Sequence, residues 1–187
     1  MRTFSKAFVV ILLAILALAT PLKSQGSFAV SAGVGGPEIF HLGFRVKLAD
    51  QWQLGAFIGS AFGSATEQRG DAPKEKIDAY AMGLAAFFHF GGQSAHTPLK
   101  PWYLRAGLSY VHFDGTDYIS KYNHADIRLG RGFNLTPRSG LELDAGLALM
   151  LSHKHQTKPG GLPEGLPVEV ENKVLPAFGL RFFYKIL

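Results

Sequence analysis

Apolar and polar residues alternate along most of the chain after its first 25 residues. The clearest stretch runs from Leu141 to Ser152. Leu141, Leu143, Ala145, Leu147, Leu149 and Leu151 occupy odd positions; Glu142, Asp144, Gly146, Ala148, Met150 and Ser152 occupy even ones. Successive side chains of a strand point to opposite faces, so a period of two gives one apolar face and one face of carboxylates and small residues. The same pattern predicts strands over Phe28 to Val34, Ile39 to Ala49, Trp52 to Phe62, Ile77 to Phe90, Trp102 to Phe113, His124 to Leu135 and Lys173 to Leu187, about eight in all. Apolar residues do not recur at helical spacing in any of these segments.

The intervening segments read as turns and loops: Gly35 to Glu38, Asp50-Gln51, Gly63 to Lys76, Gly91 to Pro101, Asp114 to Asn123, Thr136 to Gly140 and the Pro/Gly-rich His153 to Asn172. Connections after the second, fourth and sixth strands are expected to be mostly short. Those after the third, fifth and seventh are expected to be longer, as when short turns lie on one side of a membrane and longer loops on the other.

The faces suggest which solvent each meets. Gly, Ala, Ser, Arg, Asp and Glu share the narrow face, while the other is bulky, apolar and aromatic at its tips. With strands running alternately up and down, Phe28, Trp52, Phe90, Trp102, Phe133 and Tyr184 gather at one end. Phe40, Phe62, Tyr80 and Tyr110 gather at the other. Aromatic rings favour the headgroup level of a bilayer, so two such belts fit a barrel that faces lipid. The expectation is an all-β, antiparallel, up-and-down transmembrane β-barrel. A secreted soluble barrel holding a small apolar ligand is the rival, and it requires the apolar face to point inward.

The N-terminus adds an export signal: Arg2 and Lys6, an apolar run from Ala7 to Ala19, and small residues at Ala17 and Ala19. The run is shorter than the roughly 20 residues of a spanning helix. Residues 1–25 are therefore read as a cleaved signal peptide and residues 26–187 as the barrel domain. The whole chain has 19 basic and 14 acidic residues; without Arg2, Lys6 and Lys23 there are 16 against 14. That balance, with no basic run interleaved with aromatics, gives no indication of nucleic-acid binding. The chain has no cysteine, hence no disulfide framework.

On these features the chain resembles the small eight-stranded outer-membrane barrels of the OmpA/OmpX-like type over about residues 26–187. The final GLRFFYKIL is similar to the C-terminal assembly signal of such proteins, but it ends on Ile186-Leu187 rather than on an aromatic. The resemblance implies residence in the bacterial outer membrane among lipid and lipopolysaccharide and handling by the outer-membrane assembly machinery; the residues themselves give no expectation of an enzyme or a cofactor.

An eight-stranded barrel is just wide enough for side chains to fill, so no large pore is expected. Arg45, Arg105, Arg128, Glu142, Asp144, Arg181 and Lys185 are assigned to a charge network in the lumen, with Lys47 facing the same way. Lys185 is placed near the level of Glu142, and Arg181 within diagonal reach of Asp144. Some barrels of this size modify lipid A with a His-x-Ser pair and an acid, but no histidine here is followed two residues later by serine. Glu142 and Asp144 are therefore read as structural. His153 and His155, with His112 and His124 near the same rim, are weighed as Zn²⁺ or Cu²⁺ ligands and read as loop histidines. Arg69-Gly70-Asp71 is read as part of a turn.

Overall fold

The structure is a computed structural model that describes residues 28–60, 65–67, 75–94, 96, 99–115, 118–159 and 173–186. The signal-peptide expectation, Phe62 and Arg69-Gly70-Asp71 lie outside these residues. Nine strands are present among them: β1 (Phe28–Gly36), β2 (Ile39–Ala49), β3 (Trp52–Ser60), β4 (Ala65–Glu67), β5 (Glu75–Phe90), β6 (Trp102–Asp114), β7 (Tyr118–Asn134), β8 (Ser139–Thr157) and β9 (Val174–Lys185). All neighbours pair antiparallel. The ring runs β1-β2-β3-β5-β6-β7-β8-β9 and closes through β9 on β1, giving an eight-stranded barrel. The three-residue β4 pairs with the start of β5, Ala65 opposite Ile77. Closure satisfies the backbone polar groups without leaving an open edge, which a spanning sheet requires.

Strand faces follow the alternation, and Gly91 to Pro101 is the link expected between β5 and β6, but the connections after β6 and β8 are shorter than expected. β6 and β7 are separated only by residues 115–117. Much of the segment expected to be a loop from Asp114 to Asn123 instead continues the ladder, with His112 opposite Lys121 and Asp114 opposite Ile119. Similarly, His153 to Thr157 extends β8, opposite Tyr122 to Tyr118. Polarity here marks departure from the apolar belt rather than the end of the strand. At about 3.3 Å per residue, the 19 residues of β8 reach roughly 60 Å, well beyond an apolar band of about 25 Å. β6, β7 and β8 therefore rise past the belt as a shared wall.

The core is inverted relative to that of a soluble domain. The largest fully buried side chains are Arg105, Arg128, Tyr103, Glu38 and Val111. The exposed large apolar residues include Leu42, Ile58, Leu108, Ile127, Leu147 and Phe178. Trp52, Trp102, Phe133 and Tyr184 are exposed at the end of the barrel where β1 begins. Phe90 stands beside them, opposite Trp102. Arg131, which interrupts the apolar pattern of β7, faces outward at this level and lies over the rings of Trp102 and Phe133, at 5.3 and 5.2 Å from their centroids. At the opposite end Tyr80 and Tyr110 are neighbours, with ring centroids 6.2 Å apart.

Candidate functional site

The lumen holds one continuous set of ion pairs, built from the polar faces of β2, β6, β7, β8 and β9 and from the turn after β1. Nearest the β1-start end, Arg45 of β2 forks onto Glu142 of β8, with Nη1 donating to Oε1 at 2.6 Å and Nη2 to Oε2 at 2.5 Å. Its guanidinium also lies 4.2 Å from the centroid of Phe87. Arg181 of β9 is directly opposite Glu142. It donates from Nε to Glu142 at 3.3 Å and from Nη2 to Asp144. Tyr103 of β6 joins them, accepting from Arg181 at 2.9 Å and donating to Asp144 at 3.0 Å.

Arg128 of β7 carries the chain onward. Its Nη1 donates to Asp144 at 3.4 Å and to the Phe178 carbonyl at 3.0 Å, and its Nη2 donates to Glu38 at 2.6 Å. Its Nε stands 2.8 Å from Asp126, an ion pair without hydrogen-bond alignment. Arg105 of β6 completes the set, pairing with Glu38 and, at 3.4 Å, with Asp126. Arg45, Arg105, Arg128 and Arg181 are thus matched by Glu38, Asp126, Glu142 and Asp144, all with side chains nearly inaccessible to solvent. Burial of an ion is costly unless it is paired and hydrogen-bonded, and equal numbers of cations and anions meet the pairing requirement.

The network is closed above and below. Toward the outer rim, Phe57, Ala81 and Val111 form an apolar plug with Ile39, Phe113 and Tyr122 packed against it. At the other end the β5–β6 connection folds back, with Leu99 buried, His89 Nδ1 within 3.0 Å of the Lys100 carbonyl, and His89 Nε2 within 3.1 Å of Gln53 Oε1. Small residues on the lumen face make room for these groups. The Tyr103 ring packs against Gly130, where a Cβ would sit 2.5 Å from ring carbon Cε2. Phe57 covers Gly83 in the same way, also at 2.5 Å. The narrow Gly/Ala face is therefore a surface on which large polar and aromatic side chains from adjacent strands lie.

Six of the seven expected lumen charges meet in this set. Lys185 does not: Ser139 is opposite Tyr184, so Glu142 lies level with Arg181 and Lys185 falls four residues away along β9. Lys185 lines the recess at that end, with Nζ 5.7 Å from the Phe183 centroid. The length of the preceding loop does not fix strand register, which explains the misplacement. Lys47 pairs instead with Asp50 of the adjacent turn, at 3.5 Å. Three members were missed. Glu38 looked like an ordinary turn residue but is fully buried and reaches across the lumen to β6 and β7. Asp126 and Tyr103 alternate onto the polar face in the sequence, which was the signal available for them.

At the outer rim His155 Nδ1 lies 2.9 Å from Ser120 Oγ, and the His153 ring stacks on Tyr122 with centroids 4.6 Å apart. Among the described residues no group of three His, Cys, Asp or Glu is arranged to hold a metal ion. Ser109, His124 and Asp126 share the lumen face of β6 and β7, but Ser109 Oγ, His124 Nδ1 and both Asp126 oxygens lack hydrogen-bond partners.

No protein-family model matches the chain, and no curated protein matches it by sequence. Solved structures do share its fold. CarO of Acinetobacter baumannii superposes with a TM-score of 0.55 at 11% identity, over 86% of this chain and 98% of that one. A major outer membrane protein of Thermus thermophilus superposes with a TM-score of 0.51 at 14% identity, over 87% and 100%. The chain thus has the fold of small barrels known from bacterial outer membranes.

Proposed function

We propose that the protein is an integral barrel of the bacterial outer membrane, of the small OmpA/OmpX-like kind, exported by residues 1–25 and held in lipid by its outer face. Its role is structural: a closed, ion-paired scaffold that displays the extended β6–β8 wall and its loops, without catalysis and without a large solute pore. One observation carries this reading, namely that the apolar residues point outward while arginines and carboxylates fill the interior. In water that arrangement would expose a continuous apolar surface, and in lipid it exposes what the bilayer favours. The network supports the absence of a pore, because its side chains occupy the lumen from wall to wall. The terminal strand β9 is the segment an outer-membrane assembly machinery would read.

The test combines fractionation and conductance. The protein should remain with outer membranes after carbonate washing, and its unheated form should migrate differently from the boiled form on a denaturing gel. Planar-bilayer recordings should show no large stable step. Recovery in the soluble fraction with unchanged migration would favour the soluble barrel, and porin-sized steps from a verified monomer would contradict the plugged lumen.

A further inference from the structure

Above the apolar belt, the outer face of the β6–β8 wall becomes polar in two successive rows. The first is Tyr110, Asn123 and Ser152, cross-strand neighbours on β6, β7 and β8; Asn123 Nδ2 donates to Ser152 Oγ at 2.7 Å. One step further out, His112, Lys121 and Lys154 form the second row, with Lys121 directly opposite both of the others. Two lysines paired across a ladder repel each other. The neighbouring carboxylate, Asp114, is engaged by Lys158 at 2.7 Å. Asp78, opposite Asp114 on β5, lies two strands from Lys121. The row therefore presents concentrated positive charge at the level where the apolar surface ends.

A second feature lies just below. Ala125 is the next outward residue beneath Asn123, and from it an apolar recess crosses the outer wall. Ala56, Ala86, Ala106 and Ala125 line it together with Leu84 and Leu108. From Lys121 to Ala125 is four residues, about 13 Å of strand, and less along the membrane normal because barrel strands tilt by about 35–45°.

We propose that these two features form one site for a phosphorylated lipid of the outer leaflet. The phosphate meets Lys121 and Lys154 beside His112, headgroup hydroxyls meet Asn123 and Ser152, and an acyl chain lies in the alanine recess. The inference rests on the membrane reading above. Charge complementarity and the order cation, polar pair, apolar recess along the expected membrane normal select an anionic headgroup with its chain attached.

The experiment titrates the folded barrel in mild detergent with diphosphorylated lipid A, with the same lipid dephosphorylated, and with inorganic phosphate, using native mass spectrometry. The wild type should prefer the phosphorylated lipid. Lys121→Gln with Lys154→Gln should reduce that preference about thirtyfold, because each cation near an anionic surface contributes about 1 kcal/mol and 1.4 kcal/mol is tenfold. Lys→Arg at both positions should retain it. Ala106→Phe should weaken both lipids while leaving their ratio unchanged, and inorganic phosphate at millimolar concentration should not displace the lipid. Folding of every variant is checked by the difference in gel migration between unheated and boiled samples. Equal wild-type affinity for the two lipids, or an unchanged ratio in the double glutamine variant, would overturn the site. Full displacement by inorganic phosphate would overturn the lipid assignment. Failure of the membrane reading is separable, because the wild type would then not partition into neutral phosphatidylcholine vesicles.

Discussion

Leu143 and Asp144 are consecutive on β8, yet they meet opposite surroundings. Leu143 is 49% exposed on the outer wall among Leu141, Ala145 and Leu180, whereas Asp144 is 6% exposed inside, between Arg181 and Arg128. For the leucine, one of a continuous outward apolar row, the exposed position is favoured by hydrocarbon over water. For the aspartate, the buried position is stable only while its partners are present. The two faces of one strand therefore test two separate parts of the account: the outer face tests the solvent, and the inner face tests the pairing.

The largest expected effect comes from breaking the inner face. Asp144→Leu leaves Arg181 and Arg128 without a shared carboxylate and should cost about 3–5 kcal/mol in urea unfolding of the folded barrel. Adding Arg181→Met should recover much of that, because Arg45 with Glu142, and Arg105 and Arg128 with Glu38 and Asp126, remain balanced. On the outer face, Leu147→Arg, opposite Ile127 in the middle of the apolar row from Leu141 to Leu151, should cost roughly 2–4 kcal/mol. No lumen substitution should rescue it, which separates the two faces.

Smaller effects sharpen the comparison. Gly130→Ala drives a Cβ into the Tyr103 ring and should cost about 1–3 kcal/mol by overpacking. Tyr103→Leu in the same chain should relieve the crowding but lose the hydroxyl's bonds to Arg181 and Asp144. The smallest effect belongs to the rim, where Lys158 pairs with Asp114 in partial contact with water. Lys158→Ala should cost less than about 1 kcal/mol. The Lys158 ammonium beside it holds the Asp114 carboxyl below its ordinary value. A carboxylate with a depressed folded pKa stabilises above its unfolded pKa and loses that contribution as pH falls through the folded one. The gap between wild type and Lys158→Ala in chemical unfolding should therefore close as the pH drops below the carboxylate range.

The faces were legible in the sequence because alternation is a local property: each residue's parity within its strand assigns it inward or outward. Arg45, Arg105, Arg128, Glu142, Asp144 and Arg181 could be grouped on that basis alone. Register was not legible, because it depends on how neighbouring ladders pack; Lys185 was accordingly placed beside Glu142, where the structure puts Arg181. Glu38 was hidden for a different reason. Its position in a Gly/Pro turn carries no parity, and only the closed barrel shows that the turn side chain reaches Arg105 and Arg128. Strand ends were misjudged where polarity was taken for a loop: from Tyr118 to Asn123 and from His153 to Thr157 the ladder continues through mostly polar residues.

The central claim is that the apolar face of the barrel meets lipid. The chain contains no cysteine, so single cysteines can be placed along β8 and labelled with an environment-sensitive fluorophore in reconstituted vesicles. Labels at 141, 143, 145 and 147 should be quenched by nitroxide carried on lipid acyl chains and protected from aqueous iodide, whereas a label at the inward position 148 should escape the lipid quencher. Aqueous quenching at 143 and 147 with no effect of the lipid nitroxide would contradict the account and place the outer wall in water.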